Sequence, residues 1–256
     1  MVNMKSSLSA THLLRVFVLF TLVVLFLLTL TRAGFSLWQL THVESVEGFD
    51  QMQGFAELFV MGWRFDLALI GAILLIPVTL GTFFAMLGPL RVLGKGIILL
   101  FLIGGMFVII LGEYVTPYFL HANNARPDMA AIQAIGAPVE ALAGLWSTQM
   151  IPAVIGLILS ILIFIAFIAR LEVARLLRFR IAPLSGITLM IVGGALCLFA
   201  MISNVTFVQS LIEDPSAVPM PLAPSAAEIS SDTLVNELTL NTTYEAAWSL
   251  IPAGTQ

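Results

Sequence analysis

The chain has 256 residues, of which 59% are hydrophobic and only 10% are charged, with a net charge of -4 and a mean hydropathy of +1.04. A soluble domain carries roughly 25% charged residues, so this composition excludes a water-soluble globular protein and makes the bilayer the solvent. A lone cysteine, Cys197, excludes an intrachain disulfide, no Cys/His cluster points to zinc, and no nucleic-acid partner is implied.

The first apolar run, Leu13 to Thr31, holds Arg15 near its start and follows Lys5. It is longer than the 7–15-residue core of a secretory signal, and its exit Leu30-Thr31-Arg32-Ala33-Gly34 has no A-x-A site. It reads as an uncleaved helix. In Phe49 to Trp63 the apolar residues Phe49, Met52, Phe55, Phe59 and Trp63 recur at helical spacing, with Asp50, Gln51, Gln53 and Glu57 on the other side. Such a helix lies in the outer interface or packs on the spans. The second run is Phe65 to Leu87, with Asp66 at its edge; Gly88-Pro89-Leu90-Arg91 then begins a tight turn into the third, Gly96 to Gly112. Met129 to Trp146 repeats the amphipathic pattern, with a break expected at Pro138. The fourth and fifth runs are Ile151 to Ala169 and Ile181 to Ser203, joined by the basic stretch Arg170 to Arg180.

Each run is close to the ~20 residues that cross a hydrocarbon core, where backbone amides find no water and must pair within a helix. The predicted fold is therefore an all-α integral membrane protein with five transmembrane helices and interfacial amphipathic helices in the outer loops. Residues 1–207 form the five-span domain. Residues 208–256 form an extracytoplasmic segment: a linker with Pro215, Pro219, Pro221 and Pro224, then an N-cap at Ser231-Asp232 and one short helix, Thr233 to Leu250.

Direction follows from charge. With the N-terminus in the cytoplasm, the inner segments hold Lys5, Arg15, Arg91, Lys95, Arg170, Arg175, Arg178 and Arg180, and the outer ones only Arg32, Arg64 and Arg126. Glu172 is the single inner acidic residue. Trp38, Trp63, Tyr114, Tyr118 and Trp146 fall near outer helix ends, the depth that amphipathic rings prefer. This arrangement puts the N-terminus in the cytoplasm and the C-terminal segment on the outer face of the membrane.

No span carries a charge at its centre, where one costs about 2.5–3.5 kcal/mol, and transporters keep such charges for coupling. This disfavours a pump or small permease. His12, His42 and His121 have no ligand spacing, and no metal or other cofactor is expected in this chain. The candidate site lies at the outer edge: Arg64 and Asp66 at the start of the second span, Glu113 and Tyr114 at the end of the third, then Asn124 and Arg126. Arg64 and Asp66 are two apart and cannot pair along one helix. A guanidinium at headgroup depth suits a phospholipid phosphate. The competing reading is structural, with Arg64 paired to Glu113 to hold the two spans together.

The same residues carry a family resemblance. Gly62-Trp63-Arg64-Phe65-Asp66-Leu67, Glu113-Tyr114 through Tyr118-Phe119, and Asn124-Ala125-Arg126-Pro127 are similar to segments of the lipoteichoic acid synthase family. Ser231-Asp232-Thr233-Leu234-Val235-Asn236-Glu237-Leu238, with Asn241 and Tyr244, resembles that family's lead-in to its extracellular domain. The resemblance implies the membrane half of a phosphoglycerol transferase acting on phosphatidylglycerol. The catalytic half, a sulfatase-superfamily domain with a threonine nucleophile and a divalent metal, usually manganese, has no counterpart in these 256 residues, so the chain alone is expected to be inactive. Phosphoethanolamine transferases have a similar layout. A stand-alone membrane scaffold or lipid-binding protein is the alternative from another class.

Overall fold

The computed structural model describes residues 7–42, 51–123, 126–127, 150–171, 173, 181–202, 224–227 and 233–250. Among these there are helices and no strand. In chain order they are α1 (Ser7–His42), α2 (Gln51–Ile76), a π turn (Pro77–Gly81), α3 (Thr82–Met86), α4 (Arg91–Asn123), α5 (Met150–Leu171), α6 (Pro183–Ile202), a 3-10 turn (Pro224–Ala227), α7 (Thr233–Thr239) and α8 (Thr242–Trp248).

Four stretches are long and apolar enough to cross a membrane: Thr11–Leu37, Ala56–Met86, Arg91–Pro117 and Pro183–Ile202. A shorter apolar stretch, Ile155–Leu171, lies in α5. These are the helices of a membrane protein. Large apolar side chains such as Leu22, Phe26, Leu100, Ile161, Ile191 and Leu196 are exposed, as lipid-facing positions must be when there is no water to avoid.

Three expectations change. The amphipathic stretch before the second span is not a separate element, because Gln51 to Ile76 is one uninterrupted helix. The third span extends well past Gly112: α4 continues to Asn123 and carries Pro117 inside it. The single terminal helix is two, broken at Leu240–Asn241. Met129 to Trp146, the linker prolines 215, 219 and 221, and Ser231-Asp232 lie outside the described residues.

The chain divides into two compact units, and the long helices contribute to both. One unit draws on α1 up to Val24, on Leu67–Phe107, and on the chain from Leu162 through α6. Its core includes Phe20, Ile98, Leu102, Met106 and Phe167, with the rings of Phe20 and Phe167 edge to face at 5.9 Å. Its helices approach backbone to backbone. A Cβ on Gly71 would lie 2.6 Å from the carbonyl oxygen of Cys197, and one on Gly94 would overlap the backbone of Ala85 and Gly81. Small residues permit such approach where lipid provides no hydrophobic drive for helices to associate. The π turn arises at Pro77, which has no N–H to give the preceding turn. The Thr82 N–H reaches back to the Pro77 carbonyl, and the Thr79 hydroxyl donates to the Leu75 carbonyl.

The other unit draws on α1 from Leu25, α2 up to Asp66, α4 from Val108, α5 up to Ile161, and α7 and α8. Leu58, Leu120 and Leu238 form an apolar cluster there, flanked by Phe35 and Phe59. The Trp63 indole donates to the Thr29 hydroxyl at 2.9 Å, linking α2 to α1. This unit holds the candidate site.

Candidate functional site

Four charges are buried inside the second unit in two pairs. Arg32 of α1 meets Asp66 of α2 fork to fork, Nη1 to Oδ2 at 2.9 Å and Nη2 to Oδ1 at 2.8 Å, with side-chain exposures of 2% and 0%. Gly62 sits one turn before Asp66, and a Cβ there would collide with the Arg32 guanidinium. The Gly62-Trp63-Arg64-Phe65-Asp66 segment thus supplies both the carboxylate and the space for its partner.

The second pair joins Glu113 of α4 to Arg126, which follows the end of that helix. Arg126 Nη1 lies 3.2 and 3.3 Å from the two Glu113 oxygens. The guanidinium also donates through Nε to the Glu237 carbonyl at 2.7 Å and through Nη1 to the Thr242 hydroxyl at 3.0 Å. Its main-chain N–H donates to the Glu237 carboxylate at 2.9 Å, and its charge lies 6.0 Å from the centre of the Phe35 ring. Thr116, one turn after Glu113, joins its hydroxyl to that of Thr242.

Both pairs bind the break between α7 and α8. A helix end leaves carbonyls without partners, and a helix start leaves N–H groups without them. Here the Leu238 and Thr239 carbonyls at the end of α7 accept from Arg32, each at 3.3 Å. At the start of α8 the Thr242 N–H donates to Glu113 at 2.9 Å. Asn241 does two jobs. Its side-chain oxygen caps α8 by accepting from the Tyr244 N–H at 2.8 Å, while its Nδ2 donates to Asp66 at 3.1 Å. Cations therefore meet the carbonyl end of one short helix and an anion meets the amide end of the next, the favourable sense for a helix dipole. Tyr244 packs edge to face on Phe65 at 5.5 Å. Burial first, and then the nearby Glu245 charge, pushes its phenol up to about 12.

The two cations and two anions of these pairs balance, and each carboxylate accepts three hydrogen bonds. That is what permits four charges in so dry a place, since taking one ion out of water costs several kcal/mol unless it is fully partnered.

The sequence-predicted site residues divide accordingly. Asp66, Glu113 and Arg126 come together in this cluster, with all the bonds described above made inside the chain. Glu113 pairs with Arg126, which corrects the expected Arg64–Glu113 pair. Arg64 is partly buried on α2, with Nη1 3.6 Å from the sulfur of Met61. Tyr114 is partly buried, next to Glu113 on α4, and Asn124 lies outside the described residues. Sequence reasoning passed over Arg32 as a site residue, counting it only as a flanking charge, and gave no role to Thr116 or Thr242. The available signal for Arg32 was that it follows an apolar run directly, where an arginine without a partner is costly. Among the described residues no three of His, Cys, Asp and Glu stand close enough to hold a metal ion. No known protein-family model matches the chain, and no solved structure matches it.

Proposed function

We propose that this chain is the membrane anchor and lipid-presenting module of a phosphoglycerol-transferase-type enzyme resembling the lipoteichoic acid synthases. In this reading α5 also crosses the membrane, as the fourth of five spans, the N-terminus lies in the cytoplasm of a bacterium, and α7 and α8 lie at the outer face of the cytoplasmic membrane. Phosphatidylglycerol is the lipid presented, with Arg64, Tyr114 and Asn124 as its candidate contacts. Catalysis, with its divalent metal, belongs to a sulfatase-type domain outside these residues.

One observation carries the reading. The resemblance rests on three separate stretches of sequence, around residues 62–67, 113–126 and 231–244. Asp66, Glu113, Arg126 and Asn241, one or more from each stretch, meet in a single hydrogen-bonded cluster. Motifs that converge in space support a common origin better than the same motifs scattered along a chain.

The test is the lipid that the protein keeps. Purified in mild detergent from a membrane containing both phosphatidylglycerol and phosphatidylethanolamine, the chain should retain the former preferentially by native mass spectrometry. Equal retention would overturn the assignment. Arg64→Ala should abolish the preference with little change in thermal stability; a stability loss with the preference intact would give Arg64 a structural role instead.

A second reading, a stand-alone membrane scaffold, is favoured by the completeness of the internal pairing, which is chemistry suited to holding segments together. It predicts no lipid preference at all.

A further inference from the structure

We propose that α7 and α8 form a detachable strap, whose seating on the Arg32–Asp66 and Glu113–Arg126 pairs is a conformational switch separable from the folding of the glycine-packed unit. The proposal goes beyond the lipid reading and does not depend on it.

The argument begins with which atoms are bound. Arg32 and Arg126 donate to the carbonyls of Glu237, Leu238 and Thr239, and Glu113 accepts from the Thr242 N–H. The receptor therefore recognises the main chain of the break between two helices. α7 and α8 have seven residues each, too short for either to persist in water without tertiary contacts. Seating and helix formation are thus one event for this segment.

The partition of charge decides that the event is reversible. Both members of the first ion pair stand on α1 and α2, and both members of the second stand on or just after α4. When the strap leaves, each guanidinium keeps its carboxylate, and no buried ion is left without a counter-ion. What is lost is the layer of bonds between the pairs and the strap, together with the burial of Leu238, Leu240, Tyr244 and Ala246. A segment held this way opens at lower cost than one that carries half of a buried ion pair, because the uncompensated-charge penalty never arises. The strap's position would then be transmitted to whatever is joined to the C-terminal end of α8, and its release would uncouple the two.

Hydrogen exchange on the full chain in detergent, followed by mass spectrometry of its peptides, tests this. Thr242→Val keeps the main-chain bond to Glu113 and removes only the hydroxyl contacts with Arg126 and Thr116. It should speed exchange in Thr233–Leu250 roughly tenfold while peptides of Pro183–Ile202 stay at their wild-type rate. Glu113→Gln should act in the same direction and more strongly. Unchanged exchange in Thr233–Leu250 for Thr242→Val would overturn the proposal, and so would an equal rise in both regions, since the strap would then be part of one cooperative fold. Should Glu113→Gln unfold the whole chain, Thr242→Val alone decides. Loss of lipid preference has no bearing on either outcome.

Discussion

Where Gly71 faces the carbonyl of Cys197 and Gly94 faces the backbone of Ala85, helices are joined by the close approach of their backbones. Around Arg32 and Glu113, helices of the same chain are joined by long charged side chains that span the gap and pair with one another. The contrast teaches two means of cohesion. Close backbone approach relies on dispersion and fit, and these demand small residues. Buried charges rely on partners, and are tolerated once they are paired. The first kind of packing fails by overlap and the second by omission.

Omission should be the costlier failure. Arg32→Met leaves Asp66 buried without a cation and frees two carbonyls of α7, so a loss of about 3–5 kcal/mol is expected in equilibrium unfolding in detergent. The double substitution Arg32→Met with Asp66→Leu should be markedly milder, because no lone charge remains. If the single and double variants lose the same stability, the ionic account of this unit is wrong.

Overlap comes next. Gly94→Ala places a methyl group against the backbone of Ala85 and Gly81, neither of which can swing aside as a side chain can. A loss of about 1–3 kcal/mol is expected by the same measurement. A neutral result would mean that the helices can separate freely there, and the contrast between the two units would weaken.

Much of this was legible in the sequence, for reasons particular to the residues involved. Apolar length alone marks the helices, since a bilayer admits few other structures. Asp66, Glu113 and Arg126 stood out because charged residues beside apolar runs require an explanation. Their partners did not follow. Arg126 lies 13 residues after Glu113 and Arg64 a whole span before it, and the choice between them depends on where the chain turns after α4 ends, which spacing does not encode. The Arg32–Asp66 pair spans 34 residues and two helices, so it depends on how each helix is rotated about its axis. The break at Leu240–Asn241 was read through because the sequence there has no proline or glycine. The interruption is imposed by the receptor, which supplies partners for the ends of both helices.

A smaller effect isolates one hydroxyl. Thr116→Val removes the bond to Thr242 while keeping the side chain's shape, and should cost about 1 kcal/mol in thermal unfolding. Thr82→Val, whose hydroxyl bonds the carbonyl of Pro77 in the adjoining π turn, should cost less.

A last effect appears only in alkali. The Tyr244 phenol titrates at about 12 in the folded chain and near 10 when unfolded, so between these values the folded state holds a proton that the unfolded state has lost. Stability from this group is complete below pH 10 and declines as pH rises toward 12. Tyr244→Phe keeps the ring against Phe65 and should flatten that part of the stability–pH curve, as followed by circular dichroism. An unchanged curve would assign the alkaline loss to other groups.

The π turn at Pro77–Gly81 carries a consequence for the phase of everything beyond it. An α-helix advances about 100° per residue, and a widened turn accommodates an additional residue without lengthening the helix by a full step. Gly81 and Thr82 owe their inward aim, toward Ile98 and the buried interior, to that offset. Deleting the exposed Leu80 would remove the extra residue together with the widened turn, so the segment would wind as ordinary α-helix with Gly81 still facing Ile98. Forcing α-helical winding on all five residues would instead turn α3 by about one residue's angle. The widened turn thus acts like a vernier that takes up one residue and leaves the fit of α3 intact.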